Sequence, residues 1–172
     1  MPDSSPTELT AGRAILLGGI TVGVLDALDA FVFFGLRGVP PIRILQGIAS
    51  GLLGQAAFKG GIATATLGTV VHFCIATTIV SIYVLASRRV PALARHPLRY
   101  GPLYGIVAWA VMMYVVLPLS AVTIHPRPLP VIVNGLLIHA FGVGLPSALF
   151  ARAVGAAPGA AAAPHRARPA TA

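Results

Sequence analysis

From residue 14 to residue 36 the chain is one unbroken apolar run, AILLGGITVGVLDALDAFVFFGL, and Asp26 and Asp29 are its only charges. Such a run is long enough to cross a bilayer, which takes ~20 helical residues. Inside lipid an open chain must satisfy its backbone polar groups internally, and the α-helix does so. Three later runs repeat the pattern, at about 62–86, 101–122 and 129–151, and the strongly basic segment 87–99 (SRRVPALARHPLR) reads as a loop between the first two of these. Composition agrees, with 56% hydrophobic and 9% charged residues; a soluble domain carries about 25% charged residues. The expectation is an all-α polytopic membrane protein, a four-transmembrane-helix bundle over residues 13–152. The flanks 1–12 and 153–172 read as flexible tails, the second rich in Ala, Pro and Arg. A cleaved signal peptide competes for the first run, but the residues before it are acidic rather than basic and the run outlasts any plausible cleavage point.

Residues 37–61 (RGVPPIRILQGIASGLLGQAAFKGG) differ. Pro40 and Pro41 stop the first helix. From 42 to 58 the period is helical, with Arg43, Gln46, Gly47, Ser50 and Gly54 on one face. Seventeen residues rich in Gly and Ala make a weak span, so one short interfacial or re-entrant helix is expected here. Pro118 falls in the last turns of the third span and should bend it. Gly19–Gly23, Gly47–Gly51 and Gly101–Gly105 are GxxxG pairs, expected as helix-packing sites. Thr7 or Thr10 should cap the first helix. The lone Cys74 can form no intrachain disulfide and reads as a small packing residue.

Net charge is +8, and eleven of the twelve basic residues are Arg. They lie between apolar runs with no interleaved aromatics, which points to headgroups rather than nucleic acid. With four spans, Arg13, Arg88, Arg89, Arg95, Arg99, Arg152, Arg166 and Arg168 share one side; Arg37, Arg43, Lys59 and Arg127 share the other. The positive-inside rule then puts both termini in the cytoplasm.

Titratable groups recur at one depth. With a rise of ~1.5 Å per residue, Asp26 lies about 20 Å from the cytoplasmic end, Asp29 about 24 Å, His72 about 21 Å and His139 about 20 Å. Asn134 is close by on the fourth span, and Thr64, Thr66, Thr69, Thr77 and Thr78 add hydroxyls to the second. Asp26 and Asp29 are at i and i+3, on one face. Two carboxylates so near in a low dielectric should not both ionise, and an imidazolium beside them would act the opposite way. The candidate site is therefore Asp26, Asp29, His72, His139 and Asn134. The aspartates would carry a proton, the histidines would be their partners, and Asn134 would orient them.

Three functional readings stay open. The first is a proton-linked transporter or channel-like subunit, non-enzymatic and without a cofactor, which at this length would need to oligomerise. The second is a structural or accessory protein whose polar groups only lock helix packing. In the third, His72 and His139 ligate a haem from two sides, or hold a metal with an aspartate. Motifs for nucleotide, zinc-protease or serine-hydrolase chemistry are absent; Ser147 has no base beside it.

The stretches LRGVPPIRILQGIASGLLG, LASRR, VLPLS and NGLLIHAFGVGLP resemble a group of small four-span bacterial inner-membrane proteins carrying a domain of unknown function, with a looser likeness to the YagU-like inner-membrane proteins. The resemblance covers about residues 12–152. It implies a four-span fold in the bacterial cytoplasmic membrane and assigns no residue a role.

Overall fold

A computed structural model describes residues 9–123 and 125–155, and the description that follows is of these residues. The tails expected at 1–12 and 153–172 fall mostly outside them. The described residues form helices with no strand: α1 (Ala11–Gly35), α2 (Pro41–Leu53), a 3-10 turn (Gly54–Lys59), α3 (Gly61–Arg89), α4 (Pro91–Arg95), α5 (Pro97–Leu119) and α6 (Leu129–Val154). Four of them, α1, α3, α5 and α6, are long and apolar enough to cross a membrane. The protein is an all-α, multi-pass helical bundle.

Local sequence accounts for most of the boundaries. Thr10 caps α1, its hydroxyl accepting from the Arg13 amide at 3.3 Å. Past Gly35 the chain turns through Gly38 at φ +83°, a left-handed conformation that costs glycine little. Pro41 then starts α2, at the position where its missing N–H is harmless. The segment 87–99, read from sequence as a basic loop, is almost wholly helical. α3 runs on to Arg89, and α4 and α5 follow with only Val90 and His96 as breaks, each directly before a proline.

α1 packs antiparallel to α3 and to α6, and α5 packs antiparallel to α6. The crossings are made by glycines. Gly18 faces Val80 and Phe150, Gly19 faces Thr77, and Gly23 faces the Phe73 ring. On the other side of the bundle, Gly101 and Gly105 of α5 meet the α6 backbone at Gly144 and His139. Two of the three GxxxG pairs thus sit at close crossings, as expected. The third does not: Gly47 meets nothing, and the tight contact between α2 and α3 is at Gly68, against the Leu45 carbonyl. Cys74 is exposed on the outside of the bundle instead of packed within it.

Both α5 and α6 contain one widened π turn, Met112–Val116 and His139–Gly144. Each ends two residues before a proline, Pro118 and Pro146. A proline inside a helix clashes with the carbonyl four residues back and cannot bond to it. The amide just before each proline reaches five residues back instead: Leu117 donates to the Met112 carbonyl and Leu145 to the Ala140 carbonyl. The bend expected at Pro118 is therefore a π turn, and Pro146 makes a second one.

The packed core lies toward the end where α1 begins and α6 ends. Val22, Ala76, Val80, Tyr83, Val84, Val143, Ala148 and Ala151 are its buried members. Tyr83 donates to the Leu93 carbonyl at 3.0 Å and ties α4 to this end, and Tyr104 donates to the Ile79 carbonyl at 2.7 Å. Beyond this core the helices diverge.

The glycine crossings give a direct test. An added methyl at Gly105 would fall inside the contact radius of the His139 carbonyl oxygen, whereas at Gly47 it would meet no atom within 4 Å. Gly105→Ala is expected to cost about 1–3 kcal/mol or to block folding, and Gly47→Ala to stay within about 0.5 kcal/mol of the parent. Unfolding of the two variants in the same detergent measures both.

Candidate functional site

Where the helices diverge they enclose a cavity of about 480 Å3, within the range of small-molecule sites. Its floor is the core itself, at Val22, Ala76, Ile79 and Val143, and its rim includes Phe34, Ser120 and Arg127. All five candidate residues from the sequence, Asp26, Asp29, His72, His139 and Asn134, line it.

α2 completes the wall. It is the short helix expected as interfacial or re-entrant, and its polar residues Gln46 and Ser50 turn inward. Gln46 and Ser50 are buried against α3, where the Gln46 amide donates to the Gly61 carbonyl at 3.0 Å and Ser50 bonds its own helix at Gly47. The apolar residues Ile44, Leu45, Ile48 and Leu52 face the cavity. At 13 residues, about 20 Å, α2 is too short to cross. It is tied to the end of α5 by the Ala121 amide, which donates to the Gly51 carbonyl at 2.8 Å, and by Gln55 to Thr123 at 3.1 Å. α2 therefore joins α3 to the far end of α5. A helix whose polar groups are consumed by a neighbour can show its apolar side to a cavity at no hydrogen-bonding cost.

The two aspartates point to different neighbours. On α3, the His72 Nε2–H donates to the Gly23 carbonyl of α1 at 2.8 Å. Because a carbonyl only accepts, this bond places a proton on Nε2 and leaves Nδ1 as the nitrogen whose protonation can change. Nδ1 lies 3.9 Å from the Asp26 carboxylate, an electrostatic contact too long for a hydrogen bond. Both side chains are mostly covered, at 12% exposure for His72 and 26% for Asp26. Asp29 instead accepts from the Asn134 amide of α6 at 2.7 Å. This bond joins α1 to α6 beyond the packed core.

His139 departs from expectation. Its Nδ1–H donates to the Gly135 carbonyl one turn back in α6, at 2.9 Å, so it bonds its own helix rather than an aspartate. Its ring still lines the cavity, at the start of the π turn. The threonines of α3 contribute nothing to the lining. Thr64, Thr69 and Thr78 return their hydroxyls to the carbonyls of Ala57, Ala65 and Cys74. Ser147 is buried with its hydroxyl on the Val143 carbonyl. His96 and His125 are exposed.

His72 directs Nε2 to the Gly23 backbone, and among the described residues no three His, Cys, Asp or Glu side chains converge on a point.

Sequence reasoning missed several wall residues: Trp109, which lies over Gly135, Met112 and Met113 of the first π turn, and Arg127 at the rim. The signal for the methionines was present in the proline that follows their turn. For Trp109 there was none beyond its position in the third span.

Protein-family models, curated proteins and solved structures were compared with the chain, and none of them matches it.

The Asp29–Asn134 contact is expected to show in a double-mutant cycle with Asp29→Ala and Asn134→Ala. Interhelical polar contacts in membranes are worth about 0.6 kcal/mol on average and up to about 1.7. A coupling energy in that range, from unfolding in bicelles, is the expected outcome; additive single mutants would mean that the bond contributes nothing.

Proposed function

We propose that this protein is a proton-linked membrane protein, a small non-enzymatic transporter or channel-like subunit, in which Asp26 and His72 share one proton at the wall of the cavity. The observation that carries this reading is the geometry of that pair. His72 has one nitrogen committed to the Gly23 backbone and the other turned to a carboxylate, and both groups border a space large enough for a ligand. A proton taken from the cavity has two adjacent acceptors, and its titration would belong to the pair. The groups facing the pair are Asp29 on α1 and His139 on α6; α2 and α5 present no charge to it, and Arg127 is at the rim.

The cytoplasmic membrane of a bacterium is the proposed location, by the likeness noted in the sequence. Arg88, Arg89, Arg95 and Arg99 cluster at the end where α1 begins and α6 ends, which supports a cytoplasmic placement of that end. The cavity then faces away from the cytoplasm. Its floor is packed core, so passage across the bilayer requires either rearrangement of that core or a second copy of the chain.

A structural role is the second reading, favoured by one observation: Asn134 to Asp29 is a short, complete bond between two helices. Under this reading the polar groups lock α1 to α6 and nothing titrates.

Infrared difference spectroscopy of the full chain in nanodiscs separates the two. A carboxyl band that changes with pH, vanishes in Asp26→Asn and moves in His72→Gln is expected. A carboxyl that keeps one state over the range in which the protein stays folded would overturn the proton-linked reading and leave the structural one.

A further inference from the structure

We infer that the cavity binds a lipophilic organic cation, with the Asp29 carboxylate as its counter-ion. The inference rests on the cavity being an accessible site, as proposed above, and adds the class of molecule that enters it. Asp29 sits in the middle of a helix long and apolar enough to span the bilayer, where an unpaired charge is expensive. What faces it falls short of a counter-ion. Asn134 supplies a neutral amide to one oxygen. Asp26, on its own helix, is a like charge. The histidines of the lining are His72, turned to Asp26 and the Gly23 backbone, and His139, bonded within α6. α2 and α5 offer no charged group to the cavity, and Arg127, the one basic residue of the lining, is exposed at the rim. Water screens an exposed guanidinium, so it compensates an interior carboxylate poorly.

The rest of the wall selects the kind of cation. A hydrated metal ion needs oxygen ligands in number, and the surfaces here are apolar: Phe31 and Phe34 of α1, Trp109, Met112 and Met113 of α5, and the aliphatic face of α2. Aromatic faces attract a desolvated organic cation, and thioethers adapt to irregular apolar shapes. A bulky ammonium or phosphonium with apolar substituents satisfies both the walls and Asp29. An anion of the same shape meets the same walls and is repelled by the Asp29 carboxylate.

The chain reports on this site itself, since Trp109 is its only tryptophan and lies in the wall. The experiment adds tetraphenylphosphonium, and separately tetraphenylborate, to the full chain in nanodiscs, with empty nanodiscs subtracted, and follows tryptophan emission. Saturable quenching by the phosphonium with no saturable response to the borate is expected. Asp29→Asn should weaken phosphonium binding at least tenfold, and Asp29→Glu should restore much of it. Absence of saturable quenching in the parent chain, an equal response to the two ions, or unchanged binding by a folded Asp29→Asn would each overturn the inference. The ion comparison uses the unmutated chain, so it decides even if Asp29→Asn fails to fold. The infrared titration on the same samples keeps the two proposals apart. A titrating Asp26 without phosphonium binding sinks the cation alone, and phosphonium binding without a titrating carboxyl sinks the shared proton alone.

Discussion

Backbone meets backbone where α5 crosses α6. Gly101 and Gly105 on one helix and Gly144 on the other carry no side chain, so the carbonyls of His139, Gly144 and Gly101 lie directly against the opposing chain. In lipid, helices gain nothing from hiding apolar surface, and close packing of small residues is what holds them together. The contact occurs within and beside the α6 π turn, so the widened backbone that Pro146 requires is seated against the one stretch of α5 flat enough to receive it. A second glycine crossing, between α1 and α3, does the same on the other side. Together they close the half of the bundle where α1 begins and α6 ends. In the other half α6 is held at Gly135 against Trp109 and at Asn134 against Asp29, and a cavity opens between the helices.

The cavity is a consequence of this unequal packing. Residues at its floor belong to the core, and its mouth lies at Phe34 in the last turn of α1 and at Ser120 and Arg127 between α5 and α6. The π turns add to it, because a wider turn moves Met112, Met113, His139 and Val143 relative to a regular helix, and all four reach the wall. π turns in membrane helices often accompany functional sites for this reason. Polar groups then take up specific positions. His72 spends one nitrogen on Gly23, where the absence of a side chain lets α3 approach, and this aims the other nitrogen at Asp26. Asp29, one turn on, is turned to α6 instead. Two carboxylates on one helix face have thereby acquired unlike surroundings, one beside a titratable ring and one beside an amide that can only donate to it.

Much of this was legible beforehand. The four long apolar helices, the odd short helix, the Thr10 cap, two of the glycine pairs and the shared lining by Asp26, Asp29, His72, His139 and Asn134 follow from hydropathy, spacing and helical rise. Other features were not. The 87–99 segment was taken for a loop because its prolines and arginines punctuate the pattern, yet proline at the first turn of a helix is well tolerated. The inward turn of Gln46 and Ser50 on α2 was not legible, because an amphipathic pattern names two faces without saying which neighbour each will meet. His139 bonds the Gly135 carbonyl of its own helix, and the π turn that begins at His139 is not visible in a period.

The sequence by itself determined what each segment could be. Its apolar runs have one stable form in lipid, the helix, since every backbone polar group must be satisfied within it. Depth along each helix followed from residue number alone, and so did the meeting of acids and imidazoles at one level. Tertiary structure decided direction and partner. Which way a side chain faces depends on rotation about the helix axis and on the approach of the neighbouring helix. Those were set here by glycines that permit contact, prolines that widen a turn, and backbone carbonyls that claim one nitrogen of each histidine. Hence Asp26 faces His72 while Asp29 faces Asn134, a distinction that identical residue types three positions apart could not reveal.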